Sequence, residues 1–262
     1  INLTLGPDGW AWVFDVTDYA PLLKDSVELQ CGNWQELLDL KFAFIEGTPP
    51  RDVKRVDAFW KGLHYLSNWD ETVLPHAYVP GEGESMWRLK TRASGHDFGQ
   101  GNNCGEFCYN THSVKVDGEQ QWSWEIMQEC ADNPLYPQGG TWIYDRAGWC
   151  PGAPVRTEDL ELTPLVEGQE SFEVEYDVTY DPYGNYRMEG QIIGYGSPNR
   201  GFLSKLHLAA FYARGRHYQA TKRLAGVRYV FAGQLGPEGR PRYGLLGVFL
   251  AARLAANAAG SA

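Results

Sequence analysis

No stretch of this 262-residue chain reads as a membrane-spanning helix, because nowhere do about 18 apolar side chains follow one another. Histidine and methionine are scarce and scattered, six and three respectively, which argues against a copper centre of clustered His and Met ligands. Basic side chains are outnumbered, 23 Lys and Arg against 33 Asp and Glu. The deficit is uneven: residues 201–262 hold nine Lys or Arg against one Glu, a net of +8, which leaves −18 on the rest of a chain whose total is −10. An acidic body argues against nucleic acid and anionic membrane as partners. Neither an initiator Met nor a signal peptide precedes Ile1, which already stands in strand and turn; this is expected of a processed or truncated chain.

Thirty Gly, 15 Pro and 14% aromatic residues are present in their place. Many short alternating segments lie between turn signals. Leu40, Phe42 and Phe44 alternate with Lys41 and Ala43, and Trp87, Leu89 and Thr91 alternate with Arg88, Lys90 and Arg92. Phe172, Val174, Tyr176 and Val178 alternate with Glu173, Glu175, Asp177 and Thr179, the pattern of a strand apolar on one face and acidic on the other. Its expected partner is Tyr186 to Tyr195, across the turn Asp181-Pro182-Tyr183-Gly184-Asn185. Val13-Phe14-Asp15-Val16 reads as a strand leading to a turn or cap at Thr17-Asp18. The expected fold class is all-β, an antiparallel sandwich or jelly roll. Gly47-Thr48-Pro49-Pro50 reads as a boundary, since paired prolines cannot continue a central strand.

Beyond Arg200 the composition changes to Ala, Arg, Leu and Gly. Leu208-Ala209-Ala210 and Leu250 to Ala256 are compatible with a pair of helices. The preferred reading is a foreign or off-frame extension that packs poorly, because Ala-rich segments of this length are marginal helices without a packing face.

Four of the five cysteines lie between Cys104 and Cys150. Cys104 and Cys108 frame a tight loop with Glu106 at its apex, and Cys130 and Cys150 close a longer one. Two disulfides would place the chain in an oxidising compartment: secreted, periplasmic or at the cell surface. A structural zinc site drawing on Cys104, Cys108 and His112 is the competing reading, although zinc sites favour tighter paired spacings. Cys31 stands apart, as a buried thiol or as one whose partner lies outside the sequence.

The words Cys104-Gly105-Glu106-Phe107-Cys108 and Asp145-Arg146-Ala147-Gly148-Trp149-Cys150-Pro151-Gly152 resemble those of the peptide-N-glycosidase F family. Phe14-Asp15-Val16-Thr17-Asp18-Tyr19, Ser94-Gly95-His96 and Gly139-Gly140-Thr141-Trp142-Ile143-Tyr144 extend the resemblance across roughly residues 10–199. It implies two jelly rolls, the C-terminal one complete or nearly so at 49–200, part of the N-terminal one at 1–48, and the basic tail at 201–262. It implies disulfides Cys104–Cys108 and Cys130–Cys150. The activity it implies is hydrolysis of the bond between an N-linked glycan and asparagine, with an N-glycan or glycopeptide as partner and neither cofactor nor metal. Glu106 matches a family active-site Glu, Arg146 a substrate-contacting Arg, and Trp34 an active-site Trp; Trp149 and Trp142 are further stacking platforms for sugar rings.

Each of these residues has a structural alternative. Glu106 can accept backbone N–H bonds in its loop, Arg146 can clamp Asp145 or Glu106, the Trp rings can be core, and His96 and His112 can be satisfied polar core residues. The family's principal catalytic Asp aligns ahead of residue 10, and no Glu stands near Cys31-Gly32-Asn33 where another is expected. A non-catalytic glycan-binding or adhesion module is therefore the alternative function.

Overall fold

The computed structural model describes residues 10–29, 37–44, 49, 51–98, 105–133, 135, 138–179, 183–196, 217–224, 227–234 and 248–255. In chain order the strands are β1 (Trp10–Asp15), β2 (Leu37–Phe44), β3 (Val53–Tyr65), β4 (His76–Tyr78), β5 (Met86–His96), β6 (Thr111–Val116) and β7 (Glu119–Glu125). They continue with β8 (Met127–Gln128), β9 (Arg146–Ala147), β10 (Thr157–Glu161), β11 (Phe172–Val178), β12 (Asn185–Tyr195), β13 (His217–Leu224), β14 (Val227–Gln234) and β15 (Val248–Ala255). Two α-helices of one turn each, Trp69–Thr72 and Thr163–Val166, join strands. The chain divides into two compact units, residues 1–3 with 54–196, and residues 4–53 with 197–262.

The larger unit is a sandwich of two four-stranded sheets, ordered β10-β5-β12-β3 and β4-β11-β6-β7. Alternation explains which face each strand buries. In β11, Phe172, Val174, Tyr176 and Val178 point into the core, while Glu175 and Asp177 on the outer face flank the Lys115 ammonium at 3.5 and 3.7 Å. In β5, Trp87, Leu89, Thr91 and Ala93 are buried. Arg88 on its outer face meets Asp159 at 2.7 Å and Glu161 at 3.0 Å across β10. Such exposed pairs contribute about 0–1 kcal/mol each. The core supplies the larger stabilising term, at roughly 25 cal/mol per Å² of apolar surface removed from water. Aromatic contacts join the two inner faces, Trp87 with Phe172 at 6.3 Å and Trp60 with Tyr176 at 5.6 Å between ring centroids.

The all-β antiparallel sandwich expected from the sequence is the architecture found. The expected hairpin between Phe172–Val178 and Tyr186–Tyr195 is not. β11 pairs with β4 and β6, whereas β12 pairs with β5 in the other sheet, Asn185 opposite His96 and Tyr195 opposite Met86. The two strands therefore lie in different layers. The alternation that marks β11 specifies an apolar face and not the strand beside it; both strands are central in their sheets, and from Gly190 to Tyr195 every residue of β12 is buried.

In the smaller unit β15 lies between β1 and β2, antiparallel to both, and β13 pairs with β14. Asp15 accepts the Thr17 backbone N–H at 2.9 Å at the start of a 3-10 turn, Thr17–Leu22, where a turn or cap was expected. Within 201–262 the described segments are strands: Leu250–Ala255, for which a helix was the less favoured of two readings, belongs to β15. Alanine-rich segments this short have little helical stability of their own, so pairing with neighbouring strands decides their conformation.

Candidate active site

The site forms where the end of β5 meets two loops of the larger unit. Backbone spacing sets it up. A side chain at Gly95 would put its Cβ 2.6 Å from Ala147 Cβ and closer still to Gly105 O, so the loop carrying Glu106 approaches the strand as only glycine allows. Gly105 itself sits at φ +91°. Glu106 N–H donates to Asp97 O at 3.3 Å, and Ala147 N–H donates to Glu106 O at 2.8 Å. These bonds lock the loop between β5 and β9 with its carboxylate facing Arg146.

Arg146 Nε donates to Glu106 Oε1 at 2.9 Å. Its other donors are also committed: Nη1 to Tyr144 O at 2.7 Å and Trp142 O at 3.3 Å, Nη2 to Thr141 O at 2.8 Å and Thr141 Oγ1 at 3.2 Å. A guanidinium has five N–H groups, and here each has a protein acceptor. The group is 2% exposed and lies against two rings, with Cζ 5.1 Å from the centroid of Phe107 and 5.3 Å from that of Trp149. The ring faces attract the cation, but burial makes a guanidinium without its hydrogen-bond acceptors costly, so removing Glu106 or the 141–144 carbonyls would leave a stranded charge.

Further bonds hold the frame. Cys130 and Cys150 form a disulfide, with Cα atoms 5.3 Å apart. Asp145 accepts the Cys130 backbone N–H at 3.1 Å rather than pairing with Arg146. Asn133 and Gln138 both donate side-chain N–H groups to Pro151 O. Trp149 Nε1 donates to Gly95 O at 2.8 Å. One of its neighbours is the His96 ring, at 5.3 Å between centroids, and His96 Nε2 shares a hydrogen bond with Ser94 Oγ at 2.9 Å. Burial, then the nearby Arg187 charge, lowers the His96 pKa below its ordinary value.

Beneath the site is a buried polar network. His112 Nδ1 shares a hydrogen bond with the Tyr176 hydroxyl at 2.7 Å, and Asn110 donates to the Tyr186 hydroxyl at 2.8 Å. Burial lowers the His112 pKa to about 3 and raises that of Tyr176.

The structure thus brings Glu106, Arg146 and Trp149 together. Trp142, expected as a sugar platform, is instead 7% exposed and part of the packing. Trp34, Cys31 and Cys104 lie outside the described residues; Cys108 is disulfide-bonded. Cys130 and Cys150, bonded to each other, are not metal ligands, and the described residues contain no group of three or more His, Cys, Asp or Glu placed to hold a metal. Sequence reasoning missed the turn Thr141–Tyr144, closed by Tyr144 N–H to Thr141 O at 3.3 Å and entered through Gly140 at φ +77°. Its available signal was Gly139-Gly140 immediately before the turn.

Residues 80–194 match the family described as Peptide-N-glycosidase F, C terminal. Over that segment the chain is similar to this family. Over 182 residues it is 28% identical to peptide-N(4)-(N-acetyl-beta-D-glucosaminyl)asparagine amidase F of Elizabethkingia miricola, covering 62% of this chain and 51% of that one. The chain therefore spans about half the length of that relative. Among solved structures, PNGase F, a glycosylasparaginase from Flavobacterium meningosepticum, aligns at TM-score 0.43 and 22% identity, covering 58% of this chain and 55% of the other. PNGF-II aligns at TM-score 0.43 and 13% identity, covering 56% and 30%. Residues 201–259 match a different family, described as Pex2 / Pex12 amino terminal region. A 48-residue stretch is 38% identical to peroxisome biogenesis factor 10 of Dictyostelium discoideum, covering 18% of this chain and 13% of that one. The compositional break near residue 200 falls between the two matched segments. No helix among the described residues is long and apolar enough to cross a membrane.

Proposed function

We propose that this chain engages N-linked glycopeptides and belongs to an amidase that hydrolyses the glycan–asparagine bond, with Glu106 as the carboxylate that meets the reacting water. The observation that carries this reading is the fixed Glu106–Arg146 pair within the family-matched segment. One carboxylate oxygen is held by Arg146 and the side chain keeps 11% exposure, so a carboxylate is oriented without being sealed from solvent. In the reaction, water adds to the side-chain amide carbonyl of the linkage asparagine and the C–N bond breaks. The water's proton passes to the departing amine, leaving aspartate and a glycosylamine. A carboxylate near that water assists as general base, typically by about 10²–10⁴-fold. The Cys130–Cys150 bond supports residence in an oxidising compartment, secreted or periplasmic.

The test is mass spectrometry of an N-glycopeptide incubated with the protein. Conversion of the linkage Asn to Asp, lost by at least about 100-fold in Glu106→Gln while circular dichroism stays unchanged, is the expected result. Equal conversion by Glu106→Gln would remove Glu106 from the chemistry. Binding of the glycopeptide without conversion would favour the non-catalytic glycan-binding module.

A further inference from the structure

Among the described residues, the aromatic and basic side chains expected to meet the sugar are each constrained. Trp142 is buried. Trp149 donates its N–H to Gly95 O and lies beside both Arg146 and His96. Arg146 has every donor turned onto the protein, so offering one to a substrate oxygen would break an existing bond. What Arg146 does hold is the turn Thr141–Tyr144, three of whose residues supply four of its five acceptors. That turn displays the Tyr144 ring at 60% exposure beside Ile143 at 50%. The same guanidinium binds Glu106 and Tyr144 O, so one rigid group links the carboxylate to the backbone that carries the exposed ring.

We propose that Thr141–Tyr144 is a recognition arm in which Tyr144 is the aromatic platform for a sugar ring of the glycan, and that Arg146 is the positioning residue that sets the arm relative to Glu106. The inference rests on the glycopeptide reading above. Physically, a pyranose presents a patch of C–H groups on each face, and an exposed phenol ring offers a flat apolar surface to cover it. Tyrosine carries little rotamer entropy to lose and has a hydroxyl left for a sugar oxygen. The arm is preorganised by its own turn hydrogen bond and by the Arg146 fork, which lowers the ordering cost of binding.

The experiment is calorimetric titration of the full chain with the N-acetylglucosamine disaccharide, which has no asparagine linkage to hydrolyse, and with a glycan-free peptide as control. Tyr144→Ala is expected to weaken disaccharide binding about tenfold, in line with a single aromatic contact, and Tyr144→Phe to stay within about twofold. Arg146→Lys, which keeps the charge but offers three donors in place of a five-donor fork, is expected to bind at least as weakly as Tyr144→Ala. Wild-type affinity in Arg146→Lys would overturn the role of Arg146 in holding the arm. Unchanged disaccharide binding in Tyr144→Ala would overturn the arm and leave the glycopeptide reading standing. So would conversion of the glycopeptide by a protein that does not bind the disaccharide, or a Tyr144→Ala defect seen only with the glycan-free peptide. Absence of both disaccharide binding and glycopeptide conversion would overturn the reading and the arm together. Tyr144 is exposed, so its variants test the arm even if Arg146→Lys fails to fold.

Discussion

His112 is fully buried among Tyr176, Tyr186 and Trp124. Its hydrogen bond with Tyr176 suits a neutral imidazole, and burial lowers its pKa to about 3. In the unfolded chain the same residue titrates near 6.5. Between those values the unfolded state binds the extra proton, so the contribution of His112 is present above about pH 6.5 and is lost as pH falls through the window. Urea denaturation should therefore show wild-type stability falling about 2 kcal/mol more than that of His112→Gln between pH 7 and pH 5. Parallel acid limbs would mean that the ring is not neutral and buried in the folded protein. The sequence singled out His112 and its alternative role as a satisfied core residue, but not the tyrosine it meets. Tyr176 is 64 residues away, and only the pairing of β6 with β11 brings them together.

Among the elements, the meeting of β5, the Glu106 loop and β9 depends on missing side chains. Adding a methyl group at Gly95 must push the loop off the strand or shift Ala147. Gly95→Ala is expected to destabilise the protein by about 1–3 kcal/mol, the range for overpacking. It should also lower glycopeptide conversion more than Gly168→Ala, which carries the strain of a residue at φ +84° but meets open space and stands outside the segments that form the site. Thermal unfolding and the mass-spectrometric assay, run on both variants, check the two parts. The strands themselves were legible: alternation in β2, β5 and β11 announced each one. Their pairing was not, because a period of two specifies which face is apolar without specifying which neighbour covers it. A buried run such as Gly190–Tyr195 fits equally well beside β5 or beside β11 until the whole sandwich is assembled.

For the molecule as a whole, the 130–150 loop joins stability to the site. Cys130–Cys150 closes 20 residues of sequence that include the arm, Asp145 and Arg146. Cys130→Ser with Cys150→Ser should reduce unfolding free energy by about 3 kcal/mol, the loop-closure value for this length. It should also broaden the orientation of Arg146, lowering conversion beyond what the stability loss explains at temperatures where the variant remains folded. A metal chelator should leave the melting temperature unchanged, in contrast to a zinc-stapled domain, whose fold depends on the ion. A chelator-sensitive melt would overturn the disulfide account.

By itself the sequence determined the fold class, through alternation and turn residues, and the two words that carry Glu106 and Arg146, because cysteine, glycine and charge at those spacings are visible without coordinates. It also marked the change of composition near residue 200. Only the tertiary structure decided that Arg146 spends its whole donor set on Glu106 and the Thr141–Tyr144 turn, that Trp142 points inward, and that Tyr144 remains outside. Hydrogen-bond saturation and exposure are properties of three-dimensional neighbours. A guanidinium reads the same in one dimension whether its partners are substrate atoms or the carbonyls of the next turn.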